Sequence, residues 1–208
     1  MLWATLNTLM AAGIGYAIAL FIGLFFALGQ RTGFKPITFI IREVVEFIRS
    51  TPLVVQIFFI FYVGPQVGIR LSPWTSGMAA IGLHYASYLS EVYRSGLDSV
   101  PRGQWEACRA LNLSKARTYF RIIIPQALPA SLPGMGNYLV GIFKDTPMLM
   151  VIGVAELMHT ANALGSTYYR YLEPYTIVGV IFLLISIPTA FGLRRFEGYI
   201  ARIYGMKK

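Results

Sequence analysis

Residues 1–30 read MLWATLNTLMAAGIGYAIALFIGLFFALGQ and contain no Asp, Glu, Lys or Arg. About 20 apolar residues in a helix cross the ~30 Å hydrocarbon core of a bilayer, so this stretch is long enough to span one. No basic residue precedes its apolar part, which also exceeds the roughly 7–15 residues of a signal-peptide core. A retained span is expected. Uncharged runs recur at Thr51–Ile69, Leu71–Ser90, Ile122–Phe143 and Pro174–Leu193. The expectation is therefore one all-α, polytopic membrane domain over residues 1–208, with about five transmembrane helices. Composition agrees: 56% of residues are hydrophobic and 13% charged, the latter about half the fraction usual in soluble domains.

A net charge of +9 suggests nucleic-acid binding only until its distribution is examined. With five spans and the N-terminus outside, the inner segments carry Arg31, Lys35, Arg42 and Arg49, then Arg94, Arg102, Arg109, Lys115, Arg117 and Arg121. The C-terminal tail adds Arg194, Arg195, Arg202, Lys207 and Lys208. Of the 18 basic residues only Arg70, Arg170 and Lys144 fall elsewhere. Cytoplasmic loops of membrane proteins are enriched in Lys and Arg, so the asymmetry reports an N-out, C-in topology and excludes a nucleic-acid partner. The single Cys108 excludes an internal disulfide and a multi-cysteine metal site.

Along the chain, Leu2–Leu28 reads as one helix in which Gly13, Gly15 and Gly23 permit close helix contact. Residues 37–49 alternate apolar positions with Arg42, Glu43, Glu46 and Arg49, as in an amphipathic helix lying at the inner membrane surface. Ser50-Thr51-Pro52 starts the second span and Gly64-Pro65 ends it; the third runs from about Trp74 to Tyr93. A basic loop over residues 94–129 follows. It is expected to hold a helix from Gly103 to Leu111 and another from Ser114 to Ile123, meeting at Asn112. Pro125 should stop the second helix, and Pro129 and Pro133 should keep residues 125–134 from forming one regular helix. A fourth span over about 134–157 is interrupted at Lys144-Asp-Thr-Pro147. Residues 158–172 form an outer loop, and residues 174–194 the fifth span.

The loop contains Glu106-Ala-Cys-Arg-Ala-Leu-Asn-Leu-Ser-Lys-Ala-Arg-Thr-Tyr-Phe-Arg-Ile-Ile-Ile-Pro-Gln-Ala127. With Glu46-Phe-Ile-Arg-Ser-Thr-Pro-Leu-Val-Val-Gln56, Glu91-Val-Tyr-Arg-Ser-Gly96, Val100-Pro-Arg-Gly-Gln-Trp-Glu-Ala107, Lys144-Asp-Thr146 and Ile152-Gly-Val-Ala-Glu-Leu157, the chain resembles permease subunits of ABC importers of the polar amino acid type. The resemblance spans most of its length. It implies a prokaryotic inner-membrane subunit whose loop rests on a separate ATPase, with Gly103, Gln104, Glu106, Ala107, Ala110, Asn112, Ser114 and Pro125 in the coupling segment. Asn112 stands where the family usually has Gly. Asn is among the few residues other than Gly that tolerate a left-handed turn, so the hinge survives. Ala107 and Ala110 keep the helix surface low, and Glu106 is placed to pair with a basic group.

No Gly-x-x-x-x-Gly-Lys-[Ser/Thr] loop occurs in the sequence, so P-loop binding of nucleotide phosphates is excluded on this chain. No cofactor or metal is expected on it; ATP and Mg²⁺ belong to a dimer of ATPase subunits. The resemblance further implies a second permease, identical or homologous, an extracytoplasmic solute-binding protein, and membrane lipid around the helices.

Lys144 and Asp145 interrupt an apolar run, where an isolated charge costs roughly 2.5 kcal/mol or more. They either line a solute path with Thr146, meeting a zwitterion's two ends, or pair structurally, for instance with Glu156 or Glu91, or mark the end of a span. His84 and Ser87 share a helical face with Glu91, either as a polar stripe along the path or as interhelical hydrogen-bonding groups. Thr51 and Gln56 are further path candidates. Glu91 is expected to pair with Arg94. The Tyr168–Tyr171 cluster fits interfacial anchoring. Gly82-Leu-His-Tyr85 and Arg170-Tyr-Leu-Glu-Pro-Tyr175 resemble permeases of ectoine and hydroxyectoine importers; glutamine, glutamate, arginine and histidine are the competing solutes. Two other classes compete: an ATPase-independent carrier or channel, and a membrane enzyme using His84 with Glu91 or Asp145. His159 lies in a different region, and no nucleophile motif supports the enzyme.

Overall fold

A computed structural model describes residues 1–204, which are almost entirely helical; Lys207 and Lys208 of the expected inner tail lie outside the described residues. The bundle is organised around α1 (Leu2–Gly29) and α4 (Pro73–Asp98), its most extensive helix pair. Ala11, Gly15, Ala19, Gly23 and Ala27 recur every four residues along α1, and all are buried. Residues at i and i+4 share a face, and small side chains there let two backbones approach closely. Gly15 and Gly23 lie in this contact, as expected from the sequence. Gly13 does not, because nothing lies within 4 Å of where its Cβ would be. Tyr16 of α1 donates to the Met135 carbonyl at 3.0 Å, and Tyr93 of α4 donates to the Leu20 carbonyl at 3.3 Å, tying the apolar core together.

Amphipathic α2 (Lys35–Ser50) leads into α3 (Leu53–Phe58), whose helical path widens over Phe59–Val63 and tightens over Gly64–Val67. The two paths meet at 107°. Pro52 takes the extended N-cap conformation. The Gln56 amide holds the corner by donating to the Ile48 carbonyl at 2.7 Å, the Thr51 carbonyl at 3.1 Å and Thr51 Oγ1 at 2.7 Å. Thr51 Oγ1 also donates back to Ile48 at 3.1 Å. Both side chains are thus committed to the bend.

After α5 (Arg102–Ala110), a short α6 (Lys115–Arg117) runs through a wide turn at Thr118–Ile123 into α7 (Ile124–Asp145), which tightens over Thr146–Ile152. This corrects the sequence expectation twice. Pro125 does not end the helix, and Pro129 and Pro133 lie inside it. The wide turn lies just before Pro125, where such a bulge relieves the clash of a proline ring with the preceding turn. With a spacing of four, each later proline deprives the carbonyl of the one before it, so the lost bonds fall along one stripe. Gln126 Nε2 donates to the Ile122 carbonyl at 2.8 Å and Ser131 Oγ to the Ala127 carbonyl at 3.1 Å, adding side-chain bonds to that part of the helix. Local widening of the helical path, as at Thr118–Ile123, is one way membrane helices tolerate proline.

Residues 158–172 are mostly helix rather than loop: α8 covers Leu157–Tyr168, and α9 runs Leu172–Ile203, longer than the expected span. Glu156, fully buried, caps α8 by accepting from the Met158 and His159 amides at 2.8 and 2.6 Å. Asn7 Nδ2 donates to the Ala155 carbonyl at 2.7 Å and the Leu157 amide donates to Thr8 Oγ1 at 3.1 Å, fixing this corner to α1. Glu156→Ala should destabilise the chain by about 1–3 kcal/mol, leaving two partly buried amides unpaired. Its thermal midpoint in detergent should fall, with Glu156→Gln intermediate; an unchanged midpoint would refute the capping role.

Helices α1 and α9 are each long and apolar enough to cross a membrane, and the bent pairs Lys35–Ser50 with Leu53–Val67 and Lys115–Ile152 with Leu157–Tyr168 pass the same test jointly. Helix α4, 26 residues long, is diluted by Ser, Gly and Tyr but packs along α1. The result is an all-helical membrane fold of four to five spans.

Candidate functional site

Two features stand out, one at an end of the bundle and one inside it. On α5, Gly103, Glu106, Ala107 and Ala110 follow the i, i+3, i+4, i+7 spacing of one helical face, and all four are exposed. The opposite side is anchored. Cys108 is buried, Trp105 meets Tyr119 edge-on at 5.5 Å, and Arg31 reaches over Trp105 at 5.9 Å while pairing with Asp98 at 2.9 Å. The helix therefore offers a low surface of small residues around one carboxylate, on a fixed base. Gln104 accepts from Gln126 Nε2 at 3.3 Å.

The end of α5 is set by Asn112, at φ 51°. The Leu113 amide reaches the Cys108 carbonyl at 3.0 Å and the Asn112 amide the Arg109 carbonyl at 2.9 Å, the paired bonds of a Schellman cap. Ser114 then caps the next helix, its Oγ accepting from the Arg117 amide at 3.4 Å. The left-handed turn expected at Asn112 is present. Pro125 is the second residue of α7, directly behind the wide turn.

Within the bundle, a cavity of ≈ 550 Å³ is lined by His84, Tyr85, Tyr88, Asn137, Tyr138 and Asp145. Tyr85 donates to Asp145 Oδ2 at 2.7 Å. Ring centroids of Tyr85, Tyr88 and Tyr138 lie 5.5–6.2 Å apart, and His84 packs on the first two. Arg49 stands over Tyr88 at 5.3 Å, and its Nε is buried without a hydrogen-bond partner. The lining thus combines a carboxylate, phenol hydroxyls, an amide and a nearby guanidinium.

Of the path candidates, only His84 and Asp145 line this cavity. Ser87 is fully buried and bonded to the His84 carbonyl, and Thr146 is buried and bonded to the Phe143 carbonyl at 2.8 Å. Thr51 and Gln56 belong to the α2–α3 corner. Lys144 is exposed and lines a separate groove between α7 and α9 with Pro147, Tyr175 and Phe182. Adjacent helical residues point about 100° apart, which is why Lys144 and Asp145 do not share a cavity. Lys144 pairs with neither structural candidate, since Glu91 bonds Arg94 as expected and Glu156 caps α8. Glu91 lies outside the cavity lining and bonds Arg94, so of the two partners weighed for His84 only Asp145 shares its cavity. The sequence reading missed Arg49, Asn137 and Tyr138. The i, i+3, i+4, i+7, i+11 spacing of Gly134, Asn137, Tyr138, Gly141 and Asp145 on one face of α7 was the available signal for the last two.

An apolar multi-span bundle that presents an anchored helix with a face of small residues at one end fits a transport subunit. Residues 6–201 match the family of binding-protein-dependent transport system inner membrane components, and the chain belongs to that family. It is 41% identical over 189 residues to a probable amino-acid ABC transporter permease of Sinorhizobium fredii, covering 90% of this chain and 81% of that one. It is 34% identical to the L-cystine permease TcyB of Bacillus subtilis, over 91% of this chain and 83% of the relative. Identity is also 34% to the glutamine permease GlnP of Escherichia coli, over 91% and 88%. A crystal structure of an amino acid ABC transporter with histidines superposes with TM-score 0.88 at 33% identity, covering 95% of this chain and 92% of that one. The MetNI methionine transporter shares the fold at TM-score 0.74 and 17% identity, over 96% and 97%.

The chain is thus a multi-pass permease subunit of the bacterial inner membrane, a transport component rather than an enzyme. Like other ABC permease subunits it binds no cofactor, and ATP is handled by a partner ATPase. A binding-protein-dependent system also has a solute-binding protein.

Proposed function

We propose that this permease imports a small zwitterionic solute, a polar amino acid, by alternating access driven through the loop at 94–129. The carrying observation is the cavity with Asp145 on one side and Arg49 beside Tyr88 near the other. An ammonium group suits the carboxylate and a solute carboxylate suits the guanidinium. The relatives' names, which include cystine and glutamine, support this solute class. None of the relatives reported above is named for ectoine, so ectoine enters as a competing solute in the test.

The remainder of the assembly follows from the same reading. The N-terminus is outside and the C-terminus inside, as the basic residues favour. The exposed face of α5, with Glu106 at its centre, rests on the ATPase dimer. A second permease, identical or homologous, completes the path, because one bundle of this size is small to enclose it. Closure of the ATPases moves α5 and, through its Arg31 and Trp105 anchor, tilts α1 and α4 as a rigid body.

The test is uptake by the complex reconstituted with its ATPase and binding protein. Asp145→Asn should lower uptake efficiency about 10- to 100-fold, the loss expected for a charge-assisted bond to the solute. Tyr85→Phe should cost about fivefold, in line with a neutral hydrogen bond. Lys144→Met, on the other side of α7, should change solute dependence less than Asp145→Asn. Wild-type uptake by Asp145→Asn, or saturation by ectoine with no response to cystine, glutamine, arginine or histidine, would overturn the assignment.

A further inference from the structure

The elbow between α1 and α2 holds a second cavity, of ≈ 540 Å³, that the import reading does not use. Its lining includes Gln30, Arg31, Lys35, Thr38, Phe39 and Arg42, with three cations and no carboxylate. Two donors in these side chains are buried without a hydrogen-bond partner: Gln30 Nε2 and Arg31 Nη1. Arg31 uses Nη2 for Asp98, which leaves Nη1 over. Lys35 has no ion pair among the described residues, and Arg42 has only its exposed neighbour Glu43 at 3.5 Å. Buried donors are nearly always satisfied, so this concave, cationic site lacks an acceptor.

The faces of α2 say where that acceptor comes from. Val45 and Ile48 are buried against the bundle. Lys35, Phe39 and Arg42 fall on a second face at helical spacing. Ile37, Ile40, Val44 and Phe47 form a third, apolar and exposed, with Phe47 70% accessible. An amphipathic helix of this kind lies in the bilayer surface with its apolar stripe among the acyl chains. Its cationic face then sits at headgroup depth, and the positive N-terminal end of α2 adds to the field.

We propose that the α1–α2 elbow binds the phosphodiester headgroup of an anionic phospholipid, held by Lys35, Arg42 and the unpartnered donors of Gln30 and Arg31. The lipid would brace α1 against α2 next to the Arg31–Asp98 pair.

Native mass spectrometry of the intact purified chain, titrated with phosphatidylglycerol or phosphatidylcholine of identical acyl chains, tests this without reading transport, so it stands or falls apart from the import assignment. Phosphatidylglycerol should be retained in preference to phosphatidylcholine. The double variant Lys35→Gln/Arg42→Gln should bind it about 25-fold more weakly, roughly fivefold per charge near an anionic surface. Arg194→Gln/Arg195→Gln removes two exposed cations on α9 and should leave binding unchanged. Equal affinity in the elbow variant and wild type overturns the proposal. So does an equal loss in the Arg194 variant, which would mean diffuse charge attraction. Displacement of the lipid by millimolar inorganic phosphate would show a free-anion site and overturn it as well.

Discussion

Glu106→Lys is expected to abolish ATP-driven uptake while the chain still inserts in the membrane and folds. Glu106 is exposed in the centre of the α5 face, flanked by Gly103, Ala107 and Ala110, and no ion pair within the described residues occupies it. Its substitution therefore removes nothing that holds the bundle together. On the proposed ATPase contact, losing one member of a charge pair costs roughly 2–5 kcal/mol, and reversal adds repulsion. That weakens the contact by at least about 30-fold at the lower end of this range. The measurement is uptake in vesicles beside ATPase retention on the purified permease. Glu106→Lys should lose both, and Glu106→Gln should lie between. Undiminished uptake would rule out the coupling role, and uptake that persists without ATP would favour the carrier alternative. Labelling that placed residues 103–123 outside would invert the topology and remove the ATPase from reach.

The sequence was most legible where one residue's own chemistry decides the outcome. Asn112 is such a case: among the described residues it is one of two non-glycine residues at positive φ, and it sits at the helix end where a left-handed residue was expected. The uncharged runs were equally direct, because hydrocarbon admits few unpaired charges whatever the neighbours. Legibility failed where neighbours overrule a local rule. Pro125, Pro129 and Pro133 break helices in water, but here a wide turn leads into a helix that continues through all three. Helix α8 was missed because its cap is Glu156, a residue that in an apolar run reads as an ion-pair partner rather than as an acceptor for two amides. The cavity was half-visible. His84 and Asp145 carried the right chemistry, but Arg49 reaches Tyr88 only because α2 folds back across α4, and no spacing in the sequence encodes that meeting.

The largest structural effect is expected at Gly23. A Cβ there would meet the Ala86 carbonyl oxygen at 2.9 Å, Leu89 Cβ at 3.0 Å and the Ser90 amide nitrogen at 3.3 Å. Two of these are backbone atoms of α4, which cannot rotate out of the way as a side-chain end can. Even Gly23→Ala should cost about 1–3 kcal/mol by overpacking, and Gly23→Leu should separate α1 from α4 and remove most of the folded protein. Gly13→Leu provides the contrast. It lies two turns or more from Gly23 on the same helix, but its Cβ position faces open space, so it should insert and fold like the parent. Size-exclusion profiles and thermal midpoints of the three variants in detergent decide the matter. In lipid the hydrophobic effect gives helices little reason to associate, so close packing has to supply it. If Gly23→Leu folds as well as Gly13→Leu, the small-residue stripe is not what brings α1 and α4 together, and the cavity that depends on the position of α4 loses its physical basis.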